Sequence, residues 1–342
     1  MTGVQTCALP ISSQSEALLQ LKRCIWTVYM KKLKSSILLS TLAILPACSL
    51  LESDIKEINS IQEVKSVFEQ ATQDDLFVFD IDQVLLEPED LPLQPRFYEN
   101  PKLKKIFDDF EAFIKNKNNP EAYEKLTFSK SMLQCKIQPI EQALIDNILA
   151  IQKRNIKVIA LTAYHTGRFG LIERLEAWRY DLLLNLGLNF SDSFVPKEIM
   201  FDKLQKSEYA TKYKSEKGKD LSPTIFYKGI ICTLFPKGIA LKAFLEKIKY
   251  KPKCIYFFDD RPKNVESVVE EMKKMGIKCQ GFVYQAATIN RSEADLDIEV
   301  AQLKYELMKQ RDDYVSYFEA KEILDQQKMD NKNKLKPIQA IP

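Results

Sequence analysis

Histidine is nearly absent from this sequence, because His165 is the single histidine among 342 residues. Zinc sites built from several histidines are therefore excluded, and a Ser-His-Asp triad would have to use this one residue. Any bound metal must be held mostly by oxygen atoms, which favours Mg²⁺ or Ca²⁺ over zinc or copper.

The chain also lacks an excess of charge of one sign and lacks a Cys-x-x-Cys pair. Its formal net charge is +3, so no charge signature indicates a nucleic-acid partner, and we predict none. Nothing specifies a disulfide among the four cysteines beyond the front of the chain, although an exported protein would permit one. These are Cys135, Cys232, Cys254 and Cys279.

The front of the chain carries an apolar run, residues 37–45, that is too short to span a bilayer comfortably. Lysines precede the run and Ala47 and Cys48 follow it, which is the layout of a secretory signal. Leu45-Pro46-Ala47-Cys48 resembles a bacterial lipobox; an ordinary cleaved signal or an uncleaved anchor is the alternative. We expect an exported protein, in the bacterial periplasm or at the cell surface, held at a membrane surface by a lipid on Cys48.

The remaining segments differ in composition. Residues 1–29 do not fit the basic start of a signal and resemble translated adapter read-through, so we predict that Met30 is the true start; a genuine long leader is the alternative. The signal peptide then covers residues 30–47. We further predict a tether and helix (49–70), a core (71–290) with an inserted cap at about 87–137, C-terminal helices (291–330) and a disordered tail (331–342).

Short apolar runs that do not alternate with polar residues indicate strands buried on both faces of a parallel sheet. These runs are 76–79, 158–161, 255–258 and 281–284. Helix-length amphipathic stretches accompany them: 140–153, 168–186, 239–249 and 265–275. The alternation predicts an α/β fold with a doubly wound parallel sheet. We also expect one strand over 224–232 and an exposed polar loop over 203–222.

Polar residues stand directly after three of these runs, and a lysine stands just before a helix. Ligands of open parallel sheets bind beyond the carboxyl ends of the strands, so we expect these residues to meet there. The candidate site residues are Asp80, Asp82, Thr162, Lys237, Asp259 and Asp260.

The carboxylates of this set suit phosphoryl transfer. Asp80 can attack phosphorus and form an aspartyl phosphate. Asp82 can protonate the leaving oxygen and then take a proton from the attacking water. Mg²⁺ held by Asp80 and the Asp259–Asp260 pair would offset the repulsion between the two anions. A solvated turn is the alternative for the pair, although two carboxylates that cap a buried strand repel each other without a cation.

Other candidates have simpler alternatives. Thr162 offers a hydroxyl to a phosphate oxygen, or is only a polar strand end. Lys237 offers a positive charge, but Lys242 or Lys228 could supply it instead, and Lys237 could be an ordinary surface lysine. Asn264 could orient the acidic pair or cap a helix.

Three further residues lie beside the proposed site in the sequence. His165 and Arg168 follow Thr162 and could contact substrate, although surface or packing roles are the expectation. Arg261 follows the acidic pair, and we expect it to face solvent or form a salt bridge.

The order of these residues resembles that of the haloacid dehalogenase-like superfamily. Asp80-Ile81-Asp82-Gln83-Val84 is similar to its first motif, DxDx(T/V). Thr162, Lys237 and Asp259-Asp260 are similar to its second, third and fourth motifs, and the resemblance covers roughly residues 75–285. It implies a Rossmann-like core with a small cap, Mg²⁺ dependence and an aspartyl-phosphate intermediate.

The resemblance also implies the metal ligands: the Asp80 carboxylate, the Asp82 backbone carbonyl and Asp259, with Asp260 as a further candidate. An exported, membrane-tethered member of this superfamily resembles the bacterial class B and class C acid phosphatases. This chain departs from them at Gln83, where those phosphatases usually carry an acidic residue. We therefore predict a Mg²⁺-dependent phosphatase of phosphorylated small molecules. The alternatives are a catalytically inactive surface or binding protein of the same fold, or a phosphotransferase; Asp82 argues against a dehalogenase.

Overall fold

The computed structural model describes residues 54–218, 220–289 and 295–334. The predicted leader, signal peptide and lipobox at Cys48 lie outside the described residues. Within the described ranges, no helix has both the length and the apolar character that crossing a bilayer requires.

Strands form where the sequence has short apolar runs, and helices where the apolar residues recur at helical spacing. The strands are β1 (Ile55–Ile58), β2 (Leu76–Phe79), β3 (Leu86–Pro88), β4 (Ile137–Pro139), β5 (Lys157–Thr162), β6 (Glu198–Met200), β7 (Ile225–Tyr227), β8 (Ile230–Cys232), β9 (Cys254–Asp259) and β10 (Lys278–Tyr284). The helices are α1 (Lys65–Gln70), α2 (Pro101–Lys115), α3 (Pro120–Gln134), α4 (Gln142–Lys153), α5 (Leu175–Asn185), α6 (Asp202–Gln205), α7 (Glu208–Lys217), α8 (Lys237–Ile248), α9 (Pro262–Lys274), α10 (Ala286–Ile289), α11 (Ile298–Arg311) and α12 (Tyr317–Lys334).

Eight of these strands form one sheet in the order β1-β10-β9-β2-β5-β8-β7-β6. The neighbours from β1 to β8 are parallel, and the β8–β7 and β7–β6 pairs are antiparallel. All four residues of the central strand β2 are buried, as expected for a strand covered on both faces. The predicted α/β class, with a mostly parallel sheet between helices, is confirmed.

Helices cover both faces of the sheet. On one face, α1 and α4 bury Phe68 and Ile148 against the strands. On the other face, α8 and α9 bury Phe244 and Met272. The carboxyl end of the sheet therefore lies between two helical layers, which is where parallel sheets place their ligands.

A third apolar cluster lies apart from the sheet. Helices α2 and α3 are inserted between β3 and β4, which pair antiparallel with each other. Phe110 of α2 packs in one cluster with Val300 and Tyr305 of α11 and Ala320 of α12. The insertion and the C-terminal helices thus share one core.

The prediction of a tether is wrong for residues 55–58. These residues form β1, which pairs in parallel with β10, where Ile55 lies beside Gly281. Only Ile58 of the four is buried, because β1 is an edge strand, and an apolar-run criterion misses such a strand. The tail prediction is also wrong for residues 331–334, which are helical in α12.

The single strand predicted over residues 224–232 is wrong, because the chain reverses inside it. Lys228 (φ +45°) and Gly229 (φ +91°) both have positive φ, which suits a two-residue hairpin turn. The strands β7 and β8 flank this turn and pair antiparallel.

Two further segments differ from prediction. Helices α6 and α7 occupy most of residues 203–222, where we predicted a loop. Ser207 is the N-cap of α7 and Gly218 (φ +68°) is its C-cap. Helix α5 begins only at Leu175, because residues 163–174 form a loop in which Gly167 and Gly170 have positive φ.

Candidate metal centre

The pairing of β2 with β9 brings two aspartates side by side. Their register places Phe79 opposite Phe258, so the next residues along the two strands are Asp80 and Asp259. The Asp80 amide donates to the Phe258 carbonyl (2.8 Å) and extends the ladder by one bond. The carboxylate of Asp80 accepts from the Ile81 amide at 2.8 Å. Sheet register therefore sets the spacing of the two acids.

Three carboxylates converge at this strand end. Asp80, Asp259 and Asp260 each offer an oxygen atom, and these atoms lie within 4.8 Å of one another. Asp259 is fully buried, which removes the alternative of a solvated turn for that residue. A buried group of carboxylate oxygens matches the donors that Mg²⁺ and Ca²⁺ prefer, so the residues present fit a hard divalent cation.

Lys237 lies between two of these acids. Its Nζ is 2.8 Å from Asp80 Oδ2 and 2.6 Å from Asp259 Oδ2, and its side chain is 1% exposed. The two other candidate lysines lie elsewhere: Lys242 pairs with Glu271, and Lys228 stacks over tyrosine rings. The structure therefore brings Lys237 to the acidic cluster and leaves the alternatives outside it.

The charges in this cluster are unbalanced. Burial raises the pKa of Asp80 to about 7; Asp259 and Asp82 add to the increase, while Lys237 opposes it. Burial, then Asp259 and Asp80, raise the pKa of Asp260 well above its ordinary value. Burial alone would lower the pKa of Lys237, but Asp259 and Asp80 outweigh it and raise that pKa. One lysine among three acids leaves negative charge that a bound cation would offset.

Asn264 orients one of the acids. Its Nδ2 donates to both oxygens of Asp259, at 2.9 and 3.2 Å, and the Arg261 amide donates to Asp259 Oδ1 at 2.9 Å. Asn264 therefore takes the first of its two predicted roles, since Arg261 occupies the N-cap of α9. The Arg261 side chain is 40% exposed and lies 3.7 Å from Asp260, as predicted for a salt-bridging residue.

Thr162 is the last residue of β5 and is buried. The register of β2 with β5 pairs Phe79 with Ala160, which places Thr162 level with Ile81. Its carbonyl accepts a hydrogen bond from the Thr233 amide at 3.1 Å. The structure therefore puts Thr162 at the same sheet edge as the acids, and the phosphate contact of its hydroxyl stays a prediction.

Asp82 lies at the outer side of the site. Its carboxylate is 39% exposed and is ion-paired with the guanidinium of Arg179 in α5. The three grouped carboxylates do not include it; its predicted metal ligand, the backbone carbonyl, stays a prediction. Sequence reasoning missed Arg179, although a cation between Trp178 and Tyr180 in a largely apolar helix was a usable signal.

The loop after β5 joins the site to the inserted helices. Arg168, in this loop, is 70% exposed and pairs with Glu173, as expected for a surface residue, whereas His165 is partly buried. The Leu171 amide donates to Ser129 Oγ of α3 at 3.0 Å. The inserted helices therefore contact the loop that begins at Thr162.

Comparison with known proteins places this architecture in a family. A family model described as "Protein of unknown function (DUF2608)" matches residues 57–321, which include β2 to β10, the inserted helices and α11. "Uncharacterized protein RP296" of Rickettsia prowazekii (strain Madrid E) is 24% identical over 222 residues, 65% of this chain and 73% of the relative. An "Uncharacterized protein" of Rickettsia bellii (strain RML369-C) is 25% identical over 217 residues, 60% of this chain and 68% of the relative. No solved structure matches the chain.

Proposed function

We propose that this chain, which belongs to the DUF2608 family, is a Mg²⁺-dependent phosphomonoester hydrolase that acts through an aspartyl phosphate on Asp80. The observation that carries the proposal is the convergence of Asp80, Asp259 and Asp260 within 4.8 Å at the carboxyl end of a parallel sheet. Lys237, buried between two of these acids, supports it. The order of these residues resembles that of the haloacid dehalogenase-like superfamily, and we assign the fold to that type.

The finer parts of the fold belong to the same proposal. Helices α2 and α3, inserted between β3 and β4, are the cap of the proposed catalytic core. Their contact with the loop after β5 supports this role, because Thr162 begins that loop. We also propose export and a lipid anchor at Cys48, with a phosphorylated small molecule as substrate.

Asp80 is the proposed nucleophile. Its carboxylate oxygen bonds to phosphorus as the ester oxygen leaves, and the product is an aspartyl phosphate and an alcohol. Asp82 passes a proton to the leaving oxygen and takes one from the water that then attacks phosphorus. That second step releases inorganic phosphate and restores the Asp80 carboxylate.

The remaining residues bind the metal, orient its ligands or contact the phosphate in this proposal. Asp80, Asp259 and Asp260 would hold Mg²⁺, which when bound supplies the positive charge that offsets repulsion between carboxylate and phosphate. Asn264 and the Arg261 amide hold Asp259 in one orientation. Lys237 and the Thr162 hydroxyl are the proposed partners of the phosphate oxygens.

The proposal is tested by phosphate release from p-nitrophenyl phosphate with Mg²⁺ and with EDTA, for the natural chain and Asp80→Asn. We expect release only with Mg²⁺ and none above background for Asp80→Asn, because an amide is a poor nucleophile. Asp192→Asn, which changes an 86% exposed carboxylate, is the matched control and keeps full activity.

Other outcomes separate the rival functions. Full activity of Asp80→Asn, or equal rates with EDTA, would contradict the proposal. Stabilisation by Mg²⁺ without any phosphate release would favour a binding protein of the same fold. Product formation that rises with added alcohol would indicate phosphotransfer to the alcohol in place of hydrolysis.

A further inference from the structure

Arg179 is a buried cation next to the proposed site, and aromatic rings hold it there. Its side chain is 3% exposed, and its guanidinium lies 3.9 Å from the centre of the Tyr164 ring and 5.2 Å from that of Trp178. A buried arginine is costly unless other groups replace its hydration. The ring faces and the carboxylate of Asp82 are those groups.

The ion pair joins a fixed residue to an exposed one. Arg179 belongs to α5, which buries Leu183 in the core beside the sheet, whereas the Asp82 side chain is 39% exposed. An exposed aspartate would ordinarily sample several rotamers. The guanidinium donates from Nη2 to Asp82 Oδ2, which selects one of these orientations.

The surroundings of Arg179 do not suggest a purely structural residue. Its Nε is buried and has no hydrogen-bond partner among the described residues. A buried arginine retained for stability alone would be expected to use its donors more completely. Among the described residues, the acidic partner of its guanidinium is the Asp82 carboxylate, which the proposed mechanism uses for proton transfer.

We propose that Arg179 is a positioning residue: it holds the Asp82 carboxyl group where a leaving oxygen can take its proton. Tyr164 and Trp178 in turn hold the guanidinium in place. This inference rests on the proposed phosphatase function and adds a residue to it. Arg179 itself contacts neither the acidic cluster nor the phosphate in this assignment.

The inference predicts a dependence on the leaving group. Nitrophenolate leaves without a proton, whereas an alkoxide needs one, so misplacing Asp82 harms alkyl phosphates most. The test compares p-nitrophenyl phosphate with glycerol 2-phosphate for the natural chain, Arg179→Met, Asp82→Asn and the double variant. Arg179→Lys is added because lysine keeps the charge and loses the planar fork.

We expect Arg179→Met to lower kcat for glycerol 2-phosphate about 10²-fold and for p-nitrophenyl phosphate several-fold less, with KM nearly unchanged. The double variant should be no slower than Asp82→Asn, because the two substitutions remove the same function, proton transfer by Asp82. Arg179→Lys should recover part of the loss. Arg311→Met, which removes a half-exposed arginine paired with Glu319, is the control and keeps natural kinetics.

Equal losses of kcat on both substrates, or losses that multiply in the double variant, would overturn the role of Arg179. The proposed phosphatase function would stand in that case. If Arg179→Met does not fold, Tyr164→Leu replaces it and removes one ring face that supports the guanidinium. We expect a smaller loss of kcat that is again larger for glycerol 2-phosphate than for p-nitrophenyl phosphate. Equal losses on the two substrates in Tyr164→Leu would overturn the inference. Absence of phosphate release by the natural chain on both substrates would refute the proposed function, and this inference with it.

Discussion

At the scale of single residues, charge balance around Lys237 dominates the site. Its ammonium group lies within 2.8 Å of two buried carboxylates, Asp80 and Asp259, and Asp260 adds a third acid nearby. Removing one partner of a buried ion pair leaves the other charges without compensation, which costs far more than breaking a surface pair. Lys237 is therefore a stabilising residue as well as a candidate phosphate partner.

Lys237→Met keeps the length of the side chain and removes its charge. In EDTA we expect the free energy of unfolding to fall by about 3–5 kcal/mol, because Asp80 and Asp259 lose their buried partner. Urea unfolding measures the loss. Lys242→Met, which breaks a partly exposed pair with Glu271, is the control and should cost less than about 1 kcal/mol. Equal small losses for both variants would contradict this account.

At the scale of elements, the contact between α8 and α9 places the lysine. Lys237 is the first residue of α8, and Gly238 follows it where α8 touches α9. A Cβ at Gly238 would lie 2.0 Å from the backbone oxygen of Ser267. The Gly238 amide also donates to Ser267 Oγ at 3.2 Å. The absence of a side chain at Gly238 therefore lets the two helices approach closely enough to bring Lys237 to the acids.

Gly238→Ala should separate these helices. We expect the free energy of unfolding to fall by about 1–3 kcal/mol from overpacking, and Mg²⁺ to stabilise the variant less, because Lys237 and the α9 residue Asn264 shift. Thermal unfolding with and without Mg²⁺ measures both effects. Gly276→Ala is the control: its Cβ meets open space, but its φ of +63° adds strain of about 1–2 kcal/mol.

The two glycine variants differ in one measured quantity. We expect both to lose stability, but only Gly238→Ala to lose part of the increase in melting temperature that the proposed Mg²⁺ site predicts for the natural chain. The same increase in both variants would show that the α8–α9 contact does not control the site.

At the scale of the whole molecule, the C-terminal helices share one core with the inserted helices α2 and α3. Lys304 of α11 reaches Asp90, just after β3, with 2.7 Å between Nζ and Oδ2, and both side chains are almost fully buried. The Tyr314 hydroxyl donates to the same carboxylate oxygen. Apolar residues of α2, α11 and α12 form one cluster. The buried ion pair therefore joins segments that lie about 200 residues apart in sequence.

Lys304→Met should weaken this part of the molecule selectively. We expect a loss of about 3–5 kcal/mol, because the Asp90 carboxylate stays buried without its cation. The double variant Asp90→Asn/Lys304→Met should lose less, since neither residue of the pair then carries a buried charge and Tyr314 keeps an acceptor. Hydrogen exchange of α2 and α11 against that of the sheet locates the effect, and urea unfolding gives its size.

A surface ion pair provides the control for the Lys304 variant. Lys328→Met removes a partner of Glu299 at 2.9 Å, where both side chains are more than half exposed, and should cost less than about 1 kcal/mol. If Lys304→Met increased hydrogen exchange in the sheet as much as in α2, the inserted and C-terminal helices would not form a separate cooperative unit.

Several parts of this structure could be predicted from local sequence alone. An unbroken apolar run such as 76–79 must be buried in the folded chain, and its short length indicates a strand. The strand and the position of Asp80 at its end therefore follow from the local sequence. The same reasoning identified β5, β9 and the two acids at the carboxyl end of β9. It failed at β1, whose edge position leaves polar residues exposed, and at the Lys228–Gly229 turn.

The sequence by itself determined which segments are buried and which oxygen-bearing residues stand at strand ends, because burial of apolar residues and the residue type of each neighbour are local properties. Only the tertiary structure decided that Lys237 is the lysine between the acids, that Arg179 pairs with Asp82, and that Lys304 meets Asp90. These pairs join residues separated by 22 to 214 positions. Such contacts depend on sheet register and helix packing, which the hydropathy of a single segment does not encode.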